Sequence, residues 1–261
     1  MDPARYDAFT RALVERLASD PRVVALLGLG SLADAAIRDQ YSDHDVWLVV
    51  TPGSEAAFLD DLSWLPNATD HLAVIHFGTR GATVLYRDAH VVEFAVLTEA
   101  TLARQPTDRV SVLLDRAHLA ARLPPVVEEA RARRVAQDRW PDAVANLAMV
   151  VWTGVQRHRR GEHLAAHKSL CHHAIDRLLG IAQGAGLLGE PSATFLDPWR
   201  RLERVHPALA TALARTLTMP PPEAGVALLD LAVAYLRAPL PDQAWDAVHA
   251  VRRWIVRLEA T

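Results

Sequence analysis

The 261 residues can hold one large domain or two of ordinary size, and with 51% of them hydrophobic the chain can build a real core and fold alone. A formal charge of -3 excludes a global pull toward nucleic acid or membrane, so any phosphate binding has to come from a local cluster of cations. The single cysteine, Cys171, excludes an internal disulfide and suits a reducing compartment.

The start, MDPARYDAF, lacks the basic-then-apolar pattern of a secretory signal. Asp2 before Pro3 reads instead as a helix cap with proline at the first helical position, and the spacing of Phe9, Leu13 and Leu17 carries that helix to about Ser19. Val23 to Leu29 is a short apolar run closed by glycine and reads as a buried strand, and Val46 to Val50 reads as another. A helix is expected around Ser54 to Leu62. Three strand-like runs follow, Leu72 to Phe77, Thr83 to Tyr86 and Val91 to Leu97, separated by Gly78, Gly81 and a turn at Asp88.

From Pro124 onward, β-branched runs give way to Ala, Leu and Arg at helical spacing, with proline or glycine punctuation near 141, 161, 191, 198, 207, 220 to 222 and 239 to 241. Asp197 before Pro198 repeats the cap signature, and Trp140, Trp152, Trp199, Trp245 and Trp254 are expected on helices. The division is a mixed α/β domain over 1–123 and an all-helical bundle of five or six helices over 124–261. The late apolar stretch Ala224 to Leu236 is broken by Asp230 and is too short to span a bilayer, so the whole reads as a soluble cytoplasmic protein.

Residues 28 to 50, GLGSLADAAIRDQYSDHDVWLVV, carry the chemistry. Gly28, Gly30 and Ala33 match the G-x-G-x-x-A loop of dinucleotide-binding folds, whose amides approach a pyrophosphate. That fold requires an acidic residue at the close of the second strand, whereas Asp43 and Asp45 open it. The connection is also short for a crossover helix. Two neighbouring strands running in opposite directions would instead bring the glycine-serine corner and the aspartates to one edge of the sheet.

Asp43 and Asp45, two apart on a strand, share a face. Adjacent carboxylates repel, and a hard divalent cation such as Mg²⁺ relieves this while leaving positions for substrate phosphates. Glu93 offers a third acid: in HVVEFAVL it interrupts an apolar run, where a charge is costly unless paired or metal-bound.

These residues together resemble the G-S-x(n)-D-x-D signature of the DNA polymerase β-like nucleotidyltransferase superfamily, and within it the aminoglycoside nucleotidyltransferases of the streptomycin and kanamycin type. The resemblance implies an α+β catalytic domain, a mixed sheet with flanking helices, followed by an all-α domain. It implies transfer of a nucleoside monophosphate, AMP from ATP, to a hydroxyl of a small, aminoglycoside-like molecule. Gly30 and Ser31 would hold the phosphates, Asp43, Asp45 and Glu93 would bind Mg²⁺, and Glu93 would serve as base, ligand or both. Asp34 departs from the pattern, standing where arginine or glycine is common, and PDAVANLAMVVW offers only Asp142 and Asn146 where some members carry a catalytic glutamate.

In the helical half, RHRRGEHLAAHKSLCHHAIDR gathers cations. Lys168 is the choice for the triphosphate, with Arg157 and Arg160 next. His163, His167 and Cys171 recur every four residues, but a structural zinc site needs four ligands. Arg157 and His163 also fit the R-x(4-6)-H pattern of HEPN ribonucleases, which gives an alternative: a regulatory or toxin-antitoxin type module acting on RNA or protein. The acceptor is expected in a cleft between the domains, with Asp39, Asp88 and Glu162 available as acidic walls.

Overall fold

The computed structural model describes residues 2–105, 107, 109–126, 128–129, 140–188, 197–237 and 245–260. The chain divides into two compact units, Met1–Arg131 and Ala132–Thr261. No helix among the described residues is long and apolar enough to cross a membrane. The punctuation expected near 191 and 239 to 241 lies outside the described residues.

Helix α1 (Pro3–Ala18) begins as its sequence dictates. The Asp2 carboxylate accepts from the Arg5 amide at 3.0 Å, and Tyr6, Phe9, Leu13 and Leu17 form the buried stripe. The sheet of the first unit contains β1 (Val23–Leu29), β2 (His44–Val50), β3 (His71–Phe77), β4 (Gly81–Tyr86), β5 (Val91–Leu97) and β6 (Val110–Asp115), in the order β3-β4-β5-β2-β1-β6. β1 runs antiparallel to β2 and β6, β2 runs parallel to β5, and β4 runs antiparallel to both β3 and β5.

The strand β6 was not expected from the sequence. Its residues are half-buried throughout, so its short apolar run carries neither a clean alternation nor a continuous buried stretch. The helix expected over Ser54 to Leu62 is shorter, α3 (Glu55–Asp60).

The two faces of the sheet differ. One packs Val46, Leu48, Val50, Val92, Phe94 and Val96 against Phe9, Leu13 and Leu17 of α1. The other buries Trp47, Val49, Leu97, Ala25 and Leu27 with Leu102 of α4 (Glu99–Leu102), Leu119 and Leu123. Along β2 and β5 this second core takes up only the later residues. The earlier residues of the same face, Asp45 and Glu93, lie half-buried and exposed respectively.

The second unit is helical among its described residues: α5 (Trp140–Arg159), α6 (His163–His167), a π-helical stretch (Lys168–Ala174), α7 (Ile175–Gly184), α8 (Leu202–Val205), α9 (Pro207–Thr216), α10 (Pro221–Leu236) and α11 (Asp246–Glu259). Val144, Leu147, Val151 and Val155 of α5 form the spine of its core, with Leu170, Leu178, Leu228, Leu229, Val248, Val251 and Ile255 around them. The π-helical stretch sits where Ser169 and Leu170 crowd Gly154, at which a Cβ would fall 2.8 Å from the Leu170 Cγ.

Two expectations are corrected here. Asp197 caps a turn rather than a helix, accepting from the Trp199 amide at 3.1 Å, and the next helix starts only at Leu202. Trp199 therefore lies in that turn, where its indole donates to Asp176, while Trp245 stands, itself helical, at the entry to α11.

Candidate active site

Because β1 and β2 are antiparallel, with Gly28 opposite Val46, the end of β1 and the start of β2 meet at one edge of the sheet. The two glycines there have separate reasons. A Cβ on Gly28 would fall 2.8 Å from the Leu32 Cβ and 2.9 Å from the Ser111 Oγ, so this glycine is fixed by packing. Gly30 turns the chain at φ +49, in the left-handed region, and a Cβ there would lie 3.2 Å from Oδ2 of Asp45. The dinucleotide reading falls with the strand direction, since its βαβ unit needs parallel strands.

The helix after the corner, α2 (Gly30–Ala33), is a single turn followed by a 3-10 turn at Ala35–Ile37. One turn sums few peptide dipoles, so its amides rather than a macrodipole would meet an anion. Asp34, the departure noted in the motif, has a structural explanation. It accepts from the Ala36 amide at 2.9 Å and ion-pairs with Arg109, which ties the loop to the residue before β6.

Ser31 is buried, and its hydroxyl is already engaged. It lies 3.0 Å from the Tyr6 hydroxyl and donates to the Asp43 carbonyl at 3.2 Å, while Tyr6 donates to the same carbonyl at 3.0 Å. Burial, the largest influence, pushes the Tyr6 hydroxyl up to about 12, so it stays protonated and able to donate. Arg38 sits 5.2 Å from the Tyr6 ring centroid and pairs with Asp7 at 2.8 Å.

The residue between the aspartates points the other way. His44 is fully buried and stacks on Tyr6 with ring centroids 3.8 Å apart. Its Nε2 meets the Thr10 Oγ1 at 2.9 Å and its Nδ1 meets the His90 Nε2 at 2.8 Å. The Thr10 hydroxyl already donates to the Tyr6 carbonyl, at 3.1 Å, so it accepts from His44. His44 then carries its proton on Nε2, and its Nδ1 accepts from the Nε2–H of His90. Burial first, and the mutual proximity of the rings second, pushes His44 down to about 3, and burial pushes His90 down to about 4. Both are neutral at pH 7, as this chain of donors requires.

Asp45 and Glu93 are register partners on the parallel strands β2 and β5. Glu93 also stands opposite Thr83 of β4, whose hydroxyl donates to its Oε2 in a long bond of 3.4 Å. β5 is an interior strand, so Glu93 is not an edge residue. Among the described residues no three His, Cys, Asp or Glu side chains converge as a ready-made metal cage. Mg²⁺, which keeps waters and takes phosphate oxygens, needs only one or two carboxylates, so the donor chemistry of Asp43, Asp45 and Glu93 fits it.

Lys168 stands in the helical unit, exposed at the start of the π-helical stretch. Arg157 donates to the buried Ser169 Oγ at 2.8 Å, His163 Nδ1 lies 3.2 Å from His158 Nδ1, and Cys171 Sγ lies 3.5 Å from His167 Nδ1. The acids expected to form a wall each have partners: Asp88 pairs with Arg5, Glu162 with Arg160 at 2.9 Å, and Asp39 accepts from the Tyr41 amide at 2.9 Å. Sequence reasoning missed Tyr6, His44 and His90, whose only local signal is an aromatic or polar residue at a core position, and Arg38, a half-buried cation in the connection to β2.

No family model matches the sequence, and no curated protein matches it. Similar solved structures include an aminoglycoside 6-adenyltransferase from Bacillus subtilis, with 14% identity, 97% of this chain and 98% of that chain covered, and a TM-score of 0.39. A nucleotidyltransferase-like protein from Exiguobacterium sibiricum has 13% identity over 95% of this chain and 80% of that one, with a TM-score of 0.38. The Thermotoga maritima CCA-adding enzyme, complexed with tRNA, has 12% identity over 100% of this chain and 70% of that one, with a TM-score of 0.38. Likeness at this level carries no argument about activity, which has to come from the site.

Proposed function

We propose that this chain is a nucleotidyltransferase that moves AMP from ATP onto a hydroxyl of a small, aminoglycoside-like molecule. The observation that supports this reading most directly is the antiparallel pairing of β1 and β2, which sets the Gly30 corner against Asp45 with Glu93 level beside it.

In the proposed reaction, the acceptor oxygen forms a bond to the α-phosphorus as the bond to the bridging oxygen breaks, and pyrophosphate leaves. The amides after Gly30 hold the β and γ phosphates. Ser31 contributes by shaping the loop, since its hydroxyl is held by Tyr6 and Asp43. Asp43, Asp45 and Glu93 would hold Mg²⁺, which when bound neutralises charge on the transferring group. Glu93 accepts the proton of the acceptor hydroxyl or orients it. Positioning and charge neutralisation carry most of the acceleration.

The test is a labelling experiment: ATP carrying label in the α-phosphate is incubated with Mg²⁺ and the protein, in parallel with RNA, lysate protein and a panel of aminoglycosides. Label on an aminoglycoside with equimolar pyrophosphate supports the reading. Label on RNA or protein moves the function to the alternative module, and no label anywhere removes the enzyme reading.

A further inference from the structure

One cross-strand row runs through the candidate site and out to the edge of the sheet. Asp45 of β2 is the register partner of Glu93 on β5, Glu93 of Thr83 on β4, and Thr83 of Ile75 on β3. Their side chains therefore share one face. The next row on that face holds Trp47, Ala95, Gly81 and Phe77. Ile75 is 67% exposed and Phe77 is 42% exposed, large apolar surface for the end of an acidic row.

Gly81 shows that this surface is shaped. A Cβ there would collide with the Phe94 carbonyl oxygen of β5 and fall 2.6 Å from the Phe77 Cζ, so the glycine serves the close approach of β4 to β5 and also seats the Phe77 ring over β4. The ring thereby lies over Gly81, the register partner of Ala95.

Strand order then gives this surface an occupant. The Gly30 corner lies on the β1 side of β2, and Glu93, β4 and β3 lie on its other side. In an in-line displacement the leaving pyrophosphate and the attacking hydroxyl sit on opposite sides of the phosphorus. With phosphates held at the β1 side, the attacking molecule comes from the β5-β4-β3 side. Two strand spacings, about 10 Å, separate the Glu93 level from β3, which is the breadth of a small ring system.

Resting on the nucleotidyltransferase reading, we infer that the acceptor lies across β5, β4 and β3, with a reactive hydroxyl at Glu93 and a carbon-rich ring face against Ile75 and Phe77. These two residues set acceptor specificity. The acceptor class is a hydroxylated ring with one C–H-rich face, and its site lies within the first unit.

The experiment uses the full chain with streptomycin as the probe, Mg²⁺, and ATP or a nonhydrolysable analogue. The chain has five isoleucines, so the Ile75 δ1 methyl signal is assignable by comparison with Ile75→Val. Streptomycin is expected to shift that signal. Phe77→Ala and Ile75→Asn are each expected to raise the KM for streptomycin about tenfold, as for loss of one aromatic or aliphatic contact, with the KM for ATP and kcat held. Val74→Ala, on the opposite face of the same strand, is expected to change neither. Label transfer to streptomycin with a silent Ile75 methyl and an unchanged KM in Phe77→Ala overturns the inference and leaves the function standing. A dimer that Phe77→Ala splits, again with KM unchanged, assigns the surface to a second copy and also overturns it. No transfer and no methyl shift removes both readings.

Discussion

At Gly30 the backbone turns through φ +49 so closely against Asp45 that an added Cβ would lie 3.2 Å from the Asp45 Oδ2. Gly30→Ala therefore meets two costs, left-handed strain of about 1–2 kcal/mol and a methyl group against a carboxylate. A fall in melting temperature is expected together with weakened binding of Mg-ATP, read by calorimetry. Wild-type nucleotide affinity in this variant would separate the corner from the phosphates.

Tyr6 holds the Asp43 carbonyl from α1, sharing it with Ser31. Tyr6→Phe keeps the ring stacked on His44 and removes only the hydroxyl. The expected cost is about 1 kcal/mol of stability. Hydrogen exchange over residues 30–45 is expected to quicken, while exchange in β3 and β4 stays as in wild type. Uniform acceleration through the whole unit would point to a general loss of stability instead.

The His44–His90 pair makes stability depend on pH. Both rings are pushed below their ordinary 6.5, chiefly by burial, to about 3 and about 4. Below pH 6.5 the unfolded chain takes up protons that the folded chain refuses, so their contribution is present above 6.5 and is lost as pH falls toward 4. Without divalent cations, the melting temperature is expected to drop between pH 7 and pH 5 in wild type and to drop less in His90→Gln. Parallel curves for the two proteins would contradict the assignment.

The pair Asp34 and Arg109 ties the loop after the corner to the first unit's last described strand. Asp34 is 36% exposed and Arg109 16%, so solvent screening limits the worth of the pair to about 1 kcal/mol at most. Asp34→Ala is expected to weaken Mg-ATP binding several-fold through loop mobility, more at low salt than at high. Equal effects at both salt concentrations would leave only the lost cap at Ala36.

What could be read from the sequence was what is local. The cap of Asp2 and Pro3, the apolar runs of β1 and β5, and the order in which acids open β2 are written in neighbouring residues, and α1, the strands and the antiparallel pairing follow them. Glu93 stood out because a charge inside an apolar run is conspicuous. β6 did not, because a half-buried strand alternates weakly. Tyr6, His44 and His90 lay beyond reach for another reason: their partners are up to 46 residues away in sequence, and only the pairing of β2 with β5 and the packing of α1 against the sheet bring them together. The histidine of SDHD reads as one more polar residue until its burial is known. Trp199 was misplaced because a cap signature gives where a helix can start, not whether a turn intervenes.

The most direct test of the account is Asp45→Asn, assayed for Mg²⁺-dependent pyrophosphate release with an accepted hydroxyl substrate. The carboxamide keeps the shape of the side chain and removes its charge, so the fold should be unchanged by circular dichroism while release falls by about a thousandfold or more, the scale on which metal and electrostatic stabilisation act in such sites. Turnover close to wild type in a folded Asp45→Asn protein would contradict the account.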